Sequence, residues 1–234
     1  MTLADGDSVK IDLGVHIDGY IAVVAHTFII GANTTAPIDG IKAKVFNCAA
    51  TLGKLVPRLI VKGNKSSQVV DGCNKVIAAY DGVKSIEGVT MHQMKRFIID
   101  GNKTIILRSG EDAAKKPEGC TFEEYETYAV DICLTSGDGK TREGNQRTTI
   151  YKRNVDKSYA LRMAASRKVF NEVNQRFPTM PFTLRALDDE RNAKMGIREL
   201  VNHDLVSSYP ILFEKKEDVV VHIRFTLLLL PAGT

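Results

Sequence analysis

Strand-type and helix-type periodicity occur in blocks along this chain, not in one-for-one alternation, and that ordering limits the fold more than any other feature. Two apolar-alternating runs open it over 8–31, "KIDLGVHIDGYIAVVAHTF" at their centre, hinged near Gly14 and Gly19. Two helical patterns follow. The first, over 38–55, starts after Pro37, places Ile41, Val45, Ala49 and Leu52 on one face, and is predicted to break at Pro57. The second starts at the capping serines Ser66 and Ser67, shows Val69, Val70, Cys73, Val76, Ile77 and Tyr80, and ends at Gly82. Strands return in "GVTMHQMKRF" and "KTIIL". After a charged loop (110–119), "EEYETYAVDICLTSGDGK" predicts a strand entering a Ser-Gly-Asp-Gly turn, with "RTTIYKR" as its hairpin partner. A basic helix is predicted over 157–176, with Tyr159, Met163, Val169, Phe170 and Val173 as its apolar residues and Pro178 and Pro181 ending it. A further helical piece covers 184–205. "PILFEKKEDVVVHIRFTLLLLP" gives two final strands around a polar turn at 215–218. Strands, helices, strands, helices, strands: this order favours α+β over a doubly wound parallel sheet.

A chain of 234 residues that is 44% hydrophobic can bury a sizeable core. No apolar run approaches the ~20 residues of a membrane span, so no membrane insertion is expected. "MTLADGDSVK" has neither a basic n-region nor an apolar h-region, so no signal peptide is read there. Cys48, Cys73, Cys120 and Cys133 show no C-x-x-C spacing and are expected to be reduced, in a cytosolic or nuclear compartment. The sequons at Asn33, Asn64 and Asn102 are read as chance matches.

The net charge of +4 is mild, but it is unevenly placed. Positions 140–198 hold fourteen Lys/Arg against six Asp/Glu, a local balance of +8, which leaves −4 for the rest of the chain. That asymmetry points to a polyanionic partner, nucleic acid above all, against the plainer reading of a solvated helical surface.

Chemistry is less legible. "LTSGDGKT" ends like a phosphate loop, but the pattern needs glycine where Leu134 stands. There is no G-x-S-x-G, no H-E-x-x-H and no cysteine in an activating setting; His203 and His222 read as surface or partner-facing histidines. The opening hairpin, with Asp12, His16, Asp18 and His26, has the outline of a metal site. A set drawn from Asp12, Asp18, His92 and Asp131 fits hard or borderline divalent ions, beside the alternative of ordinary loop acids and a strand-end histidine.

Six segments in order, "KIDLGVHIDGYIA", "GVTMHQMKRFIIDGNKTI", "YAVDICLTSGDGK", "QRTTIYKR", "MPFTLRAL" and "FTLLLLP", resemble the proliferation-associated, ErbB-receptor-binding protein family, which descends from type 2 methionine aminopeptidases. The resemblance covers essentially the whole chain. It implies the α+β pita-bread fold over 1–234, part of that fold lying N-terminal to the region matched, and a type 2 helical insertion over 159–206. An apolar face left open where that part packs is a further expectation. In the active enzymes of this fold, five side chains hold two divalent ions. Carried over, the first aspartate is Asp12, the histidine is His92, and one glutamate falls on Asp131. The second aspartate falls on Val23 and the last glutamate on Arg224, and these two are the carboxylates that bridge both metals. Without a shared ligand, two cations cannot be held at ~3.5–4 Å. A substrate-contacting histidine of the enzymes aligns at Asp100. The implied protein is a pseudoenzyme with no catalytic residue, metal or cofactor.

What the resemblance implies instead is a binding protein that engages ribosomal or structured RNA, the ribosome and protein partners in ribosome biogenesis, translation and growth regulation, shuttling between nucleolus and cytoplasm. Its phosphate contacts would come from Lys157, Arg162, Arg167, Lys168, Arg176, Arg185, Arg191, Lys194 and Arg198. No stacking-aromatic signature accompanies them, so recognition would follow backbone and shape. The rival reading is a residual metallohydrolase using Asp12, His92 and Asp131 around one ion. Arg224 is expected to hydrogen-bond Asp12, Asp131 or both, standing in for the metal charge.

Overall fold

A computed structural model describes residues 2–32, 37–110 and 118–233. The Asn33 sequon and most of the charged loop over 110–119 lie outside the described residues. The chain divides into two compact units: Met1–Arg96, Asp100–Arg142 and Glu214–Thr234 form one, and Phe97–Ile99 with Glu143–Phe213 form the other.

The first unit begins with β1 (Ser8–Ile17) and β2 (Tyr20–Ile29), an antiparallel hairpin with ten paired positions from Ser8↔Ile29 to Ile17↔Tyr20. Asp18 and Gly19 both take positive φ (50° and 81°), which the right-handed twist of a two-residue hairpin demands and which the Asp-Gly pair tolerates. Gly14 is no hinge: it pairs with Val23 in mid-strand.

Helix α1 (Gly40–Leu59) runs straight through Pro57. So late in the helix, proline forfeits one hydrogen bond, while Val56 and Ile60, both fully buried, hold the last turn. Its inward face is Val45, Cys48, Ala49, Leu52 and Val56; Ile41, expected there, is exposed. Helix α2 (Ser66–Ala78) is capped by a box around Lys65, whose N–H donates to Gln68 Oε1 (2.7 Å). Ser66 Oγ instead accepts the N–H of Cys120 (3.0 Å), and Gly82 lies in the following turn.

The remaining strands are β3 (Lys84–Ser85), β4 (Thr90–Met94), β5 (Thr104–Ile106), β6 (Thr127–Thr135) and the last strand of the chain. That last strand, β12 (Val220–Leu228), lies between β2 and β6, giving the antiparallel order β1-β2-β12-β6-β4-β5, with β3 also on β6. "RTTIYKR" is therefore not the partner of β6. All nine residues of β6 pair with β12, because β6 needs a partner as long and apolar as itself. The core lies between the sheet and the two helices: Tyr128, Val130, Ile132 and Leu134 of β6 pack with Val221 and Leu227 of β12 against α1 and α2. On β1, Ile11, Leu13, Val15 and Ile17 form an open apolar stripe, Ile17 being 79% exposed.

Two-residue strands β7 (Arg142–Glu143) and β11 (Leu212–Phe213) lie where the chain passes between units. The second unit holds β8 (Ile150–Arg153), α3 (Ala164–Arg176), β9 (Phe182–Thr183), a 3₁₀ turn (Leu184–Ala186), α4 (Glu190–Asn202) and β10 (Val206–Ser208), with strand order β10-β8-β9. It contains the span 159–206 and adds β8 before it. The basic helix starts at Ala164, well after residue 157, because the carboxylate of Glu199 on α4 accepts the N–H groups of Arg162 and Met163 (2.8 and 3.1 Å), holding that segment extended. α4 restarts at its own cap, Asp189, which accepts the N–H of Asn192 (3.0 Å).

Close approach of α3 and α4 depends on Gly196, where a Cβ would meet the Ala165 carbonyl oxygen at 2.8 Å. Gly196→Ala is therefore expected to force the helices apart and cost about 1–3 kcal/mol, read as a lowered urea midpoint. An unchanged midpoint would show that the backbone yields freely there.

Candidate functional site

Register brings the candidate residues together. Asp12 pairs with Ala25, Ala25 with Arg224, and Arg224 with Asp131, so one transverse row crosses four strands. Directly opposed residues share a face, so Asp12, Arg224 and Asp131 point to the side of the sheet opposite α1 and α2. His92 pairs with Ala129, two residues from Asp131, and joins the same face diagonally.

The geometry within that row follows from strand spacing. Arg224 stands one strand from Asp131 and two from Asp12, a reach of ~10 Å for the latter. Ala25, the residue between, is small and buried, so the guanidinium crosses above it. Arg224 Nη1 comes to 3.7 Å from Asp12 Oδ2 and Nε to 3.4 Å from Asp131 Oδ2. Both are ion pairs, but neither is a hydrogen bond, and the buried Nε has no hydrogen-bond partner among the described residues. The expected fork is thus corrected: Arg224 balances both acids by charge, while the directional bond to Asp131 comes from elsewhere.

It comes from His222. Its Nε2 donates to Asp131 Oδ1 at 2.8 Å, and its side chain is 19% exposed. Reading His222 as a surface histidine was wrong; it stands two residues from Arg224 and so on the same face, a signal that period-2 reading carries. His203, in the second unit, is exposed and stacks on Tyr159 with ring centroids 3.5 Å apart.

Two threonines, also missed, shape the site. The β2–β12 backbone ladder holds only Arg224↔Ala25 and Phe225↔Val24. On one side of it Thr226 Oγ1 accepts the Val23 N–H (2.8 Å) and donates to the Val23 carbonyl (3.2 Å). On the other, Thr27 Oγ1 accepts the His222 N–H (2.8 Å) and donates to the His222 carbonyl (3.0 Å). Each hydroxyl bridges backbone groups that would otherwise be left unpaired as the strands diverge. Val23 itself is 5% exposed and packed.

Electrostatics on this face run against cations. The imidazole of His92 titrates below its ordinary 6.5, first through burial and next through the Arg224 charge; its Nδ1 is buried without a hydrogen-bond partner among the described residues. Partial burial lowers Lys10, which lies on β1 two residues from Asp12. Burial, with Asp131 adding, pushes the Cys133 thiol up to about 12, which rules out a thiolate at neutral pH. Asp18 is not part of the row: it sits at the hairpin turn, ion-paired to Arg96. Among the described residues, no three His, Cys, Asp or Glu side chains converge as a metal-binding group.

The nine basic residues differ in availability. Arg176 pairs with Glu172 and Asp188 (2.5 and 3.1 Å), and Arg167 donates to the carbonyls of Leu161 and Arg162 (3.0 and 2.7 Å). Lys194 pairs with Glu190 at 2.7 Å. Lys157, Arg162, Lys168, Arg185, Arg191 and Arg198 are exposed, with side chains that make no hydrogen bond or ion pair among the described residues.

The description of metallopeptidase family M24 matches residues 1–132, which include Asp12, Val23, His92 and Asp131. The chain belongs to family M24. Within it, the chain is 48% identical over 231 residues to the protein named ErbB-3 binding protein 1 of Solanum tuberosum, covering 98% of this chain and 58% of that one. It is 42% identical over 232 residues to proliferation-associated protein A of Dictyostelium discoideum, covering 99% and 59%. Among solved structures, a thermophilic Arx1 superposes with a TM-score of 0.85 at 30% identity, covering 97% of this chain and 65% of that one. The fold is the α+β pita-bread fold, and the chain spans somewhat under two thirds of these relatives.

The residues of the row do not fit the pair of divalent ions that aminopeptidases of this fold use. Valine offers no donor at position 23, and the guanidinium of Arg224 stands between the carboxylates that remain.

Because the Arg224 charge holds the His92 midpoint down, Arg224→Met is expected to raise it, as followed by imidazole proton shifts against pH. The sign carries into stability. Below pH 6.5 the unfolded chain binds the His92 proton more readily than the folded one, so acidification through that window destabilises the wild-type protein. In Arg224→Met that loss should be smaller. A midpoint that stays put or falls would mean the guanidinium does not act on His92.

Proposed function

We propose that this protein is a non-catalytic, aminopeptidase-like binding protein that engages ribosomal or structured RNA, the ribosome and protein partners, and acts in ribosome biogenesis, translation and growth regulation. The observation that carries the first half is the position of Arg224. A permanent cation 3.4 Å from Asp131 and 3.7 Å from Asp12 neutralises the very carboxylates a metallohydrolase would need. The residual one-metal reading through Asp12, His92 and Asp131 would have to place an ion beside that guanidinium, against ~4 kcal/mol per charge at contact distance even in a partly screened site. After equilibration with cobalt or manganese and removal of free ion, elemental analysis should find far less than one ion per chain, and methionyl peptides should remain uncleaved. One or more tightly held ions per chain would overturn the pseudoenzyme reading.

Support for the second half is the +8 balance of 140–198 and the six exposed cations whose side chains make no hydrogen bond or ion pair among the described residues. Phosphate contacts by such residues are sequence-independent and release counterions, so affinity should fall steeply with salt. Cytoplasmic and nucleolar residence belongs to the same reading. Reversing Lys157, Arg162, Lys168 and Arg191 to glutamate is expected to leave the fold intact, since among the described residues none of these exposed side chains makes a hydrogen bond or ion pair. It should reduce ribosome and RNA co-sedimentation and flatten the log–log salt dependence by about one for each phosphate no longer engaged. Normal co-sedimentation of that variant across the salt series would reduce the charge asymmetry to a solvated surface.

A further inference from the structure

The second unit contains a cavity of about 850 Å³ between α4 and the strands β8 and β10. One stripe of α4 faces it through Lys194, Ile197, Arg198 and Val201, positions separated by three, four and seven residues. Ile197 and the ring of Tyr151 are buried and form an apolar floor. The thioethers of Met163 and Met195, 47% and 52% exposed, form the lips. Arg147, Lys194 and Arg198 make the rim, and among the described residues no carboxylate lines it. The acids nearby are already engaged: Glu190 holds Lys194 Nζ at 2.7 Å, and Glu199 accepts the N–H groups of Arg162 and Met163. Arg147 donates through Nη2 to the Lys194 carbonyl at 3.3 Å and keeps its charge at the rim, as does Arg198.

This combination selects a class of ligand. The volume suits a site that encloses a few side chains. Thioether lips adapt to apolar groups of varied shape, as at surfaces that accept many peptide partners. A nucleobase finds no platform here, because among the described residues the only aromatic one lining the cavity is Tyr151, which is 3% exposed and donates its hydroxyl to the Thr148 carbonyl (3.2 Å). A cationic rim around an apolar floor is complementary to carboxylates flanking an apolar anchor. We propose that this cavity is a docking site for an acidic peptide segment of a partner protein. One or two of its apolar side chains seat between Met163 and Met195, and its carboxylates meet Arg147 and Arg198. Lys194 and Arg198 are shared with the RNA-contacting residues above, but the charge-reversal variant used to test those changes Lys157, Arg162, Lys168 and Arg191 and leaves every residue of the cavity rim in place.

Methyl-labelled methionine gives a direct readout in the intact chain, since Met163 and Met195 line the cavity while Met91, Met94 and Met180 are buried. The probe is a short synthetic peptide with a Leu-Phe centre between Asp and Glu residues. Two controls carry Lys for the acids or Ser for the apolar pair, and a single-stranded oligonucleotide is titrated in parallel. The acidic apolar peptide should shift the Met163 and Met195 methyl signals and leave the other three in place. Neither control should match it, and Arg198→Glu should weaken it about tenfold or more. Three results would overturn the proposal: no shift at millimolar peptide, equal binding of the Ser control, or movement of these two methyls by the oligonucleotide alone.

Discussion

The placement of β12 between β2 and β6 is the constraint on which the rest of the first unit depends. It ties a hairpin from the beginning of the chain to strands more than a hundred residues later, and its nine-residue ladder with β6 fixes the register on both sides. A slip by one residue would turn Val221 and Leu227 out of the core and Arg224 into it. The core and the site row are thus set by one decision. The apolar residues that pack against α1 and α2 lock the strand, and the polar ones, on the opposite face, inherit their positions from that packing.

On the polar face the same register makes a metal-binding architecture into a self-neutralised one. Asp12 and Asp131 keep their places in the row, and Arg224 stands between them with Ala25 beneath it. Small size at position 25 matters as much as charge at 224, because a larger residue on β2 would obstruct the guanidinium's path to Asp12. His222 supplies Asp131 with the directional hydrogen bond that Arg224 does not make, so the charge and the geometry of that carboxylate are satisfied by different neighbours. Charged groups held this way are costly to remove singly, since the survivor would be left in a partly buried site without its counter-charge.

In the second unit the same logic decides which side chains stay exposed. Glu199 holds the segment before α3 extended, which delays the helix and puts Met163 at its start, on the lip of the cavity. Arg167 and Arg176 are spent on carbonyls and carboxylates of the unit itself. The cations left over are the ones a partner can meet, and a count of positive residues in the sequence cannot separate the two groups.

Much of this was legible beforehand. The opening pair of strands and the hinge near Gly19 are read from the sequence, though the hinge near Gly14 is not; the first two helices follow from their apolar stripes; that Val23 and Arg224 stand where the enzymes carry bridging carboxylates is what the family resemblance implies. What misled were features whose outcome depends on contacts distant in sequence. Pro57 did not end α1 because Val56 and Ile60 are buried on either side of it. "RTTIYKR" reads as a hairpin partner of β6 by proximity, but β6 required the longer apolar strand from the end of the chain. Period-2 spacing puts His222 on the face of Arg224, but its partner Asp131 lies 91 residues away and only strand pairing brings the two together. The sequence by itself determined which residues can bind a metal, carry charge or fill a core, since those are properties of side chains and of local periodicity. Only the tertiary structure decided which of them meet, because strand pairing and helix packing are settled by burial of apolar surface, and polar groups take the neighbours that this burial assigns.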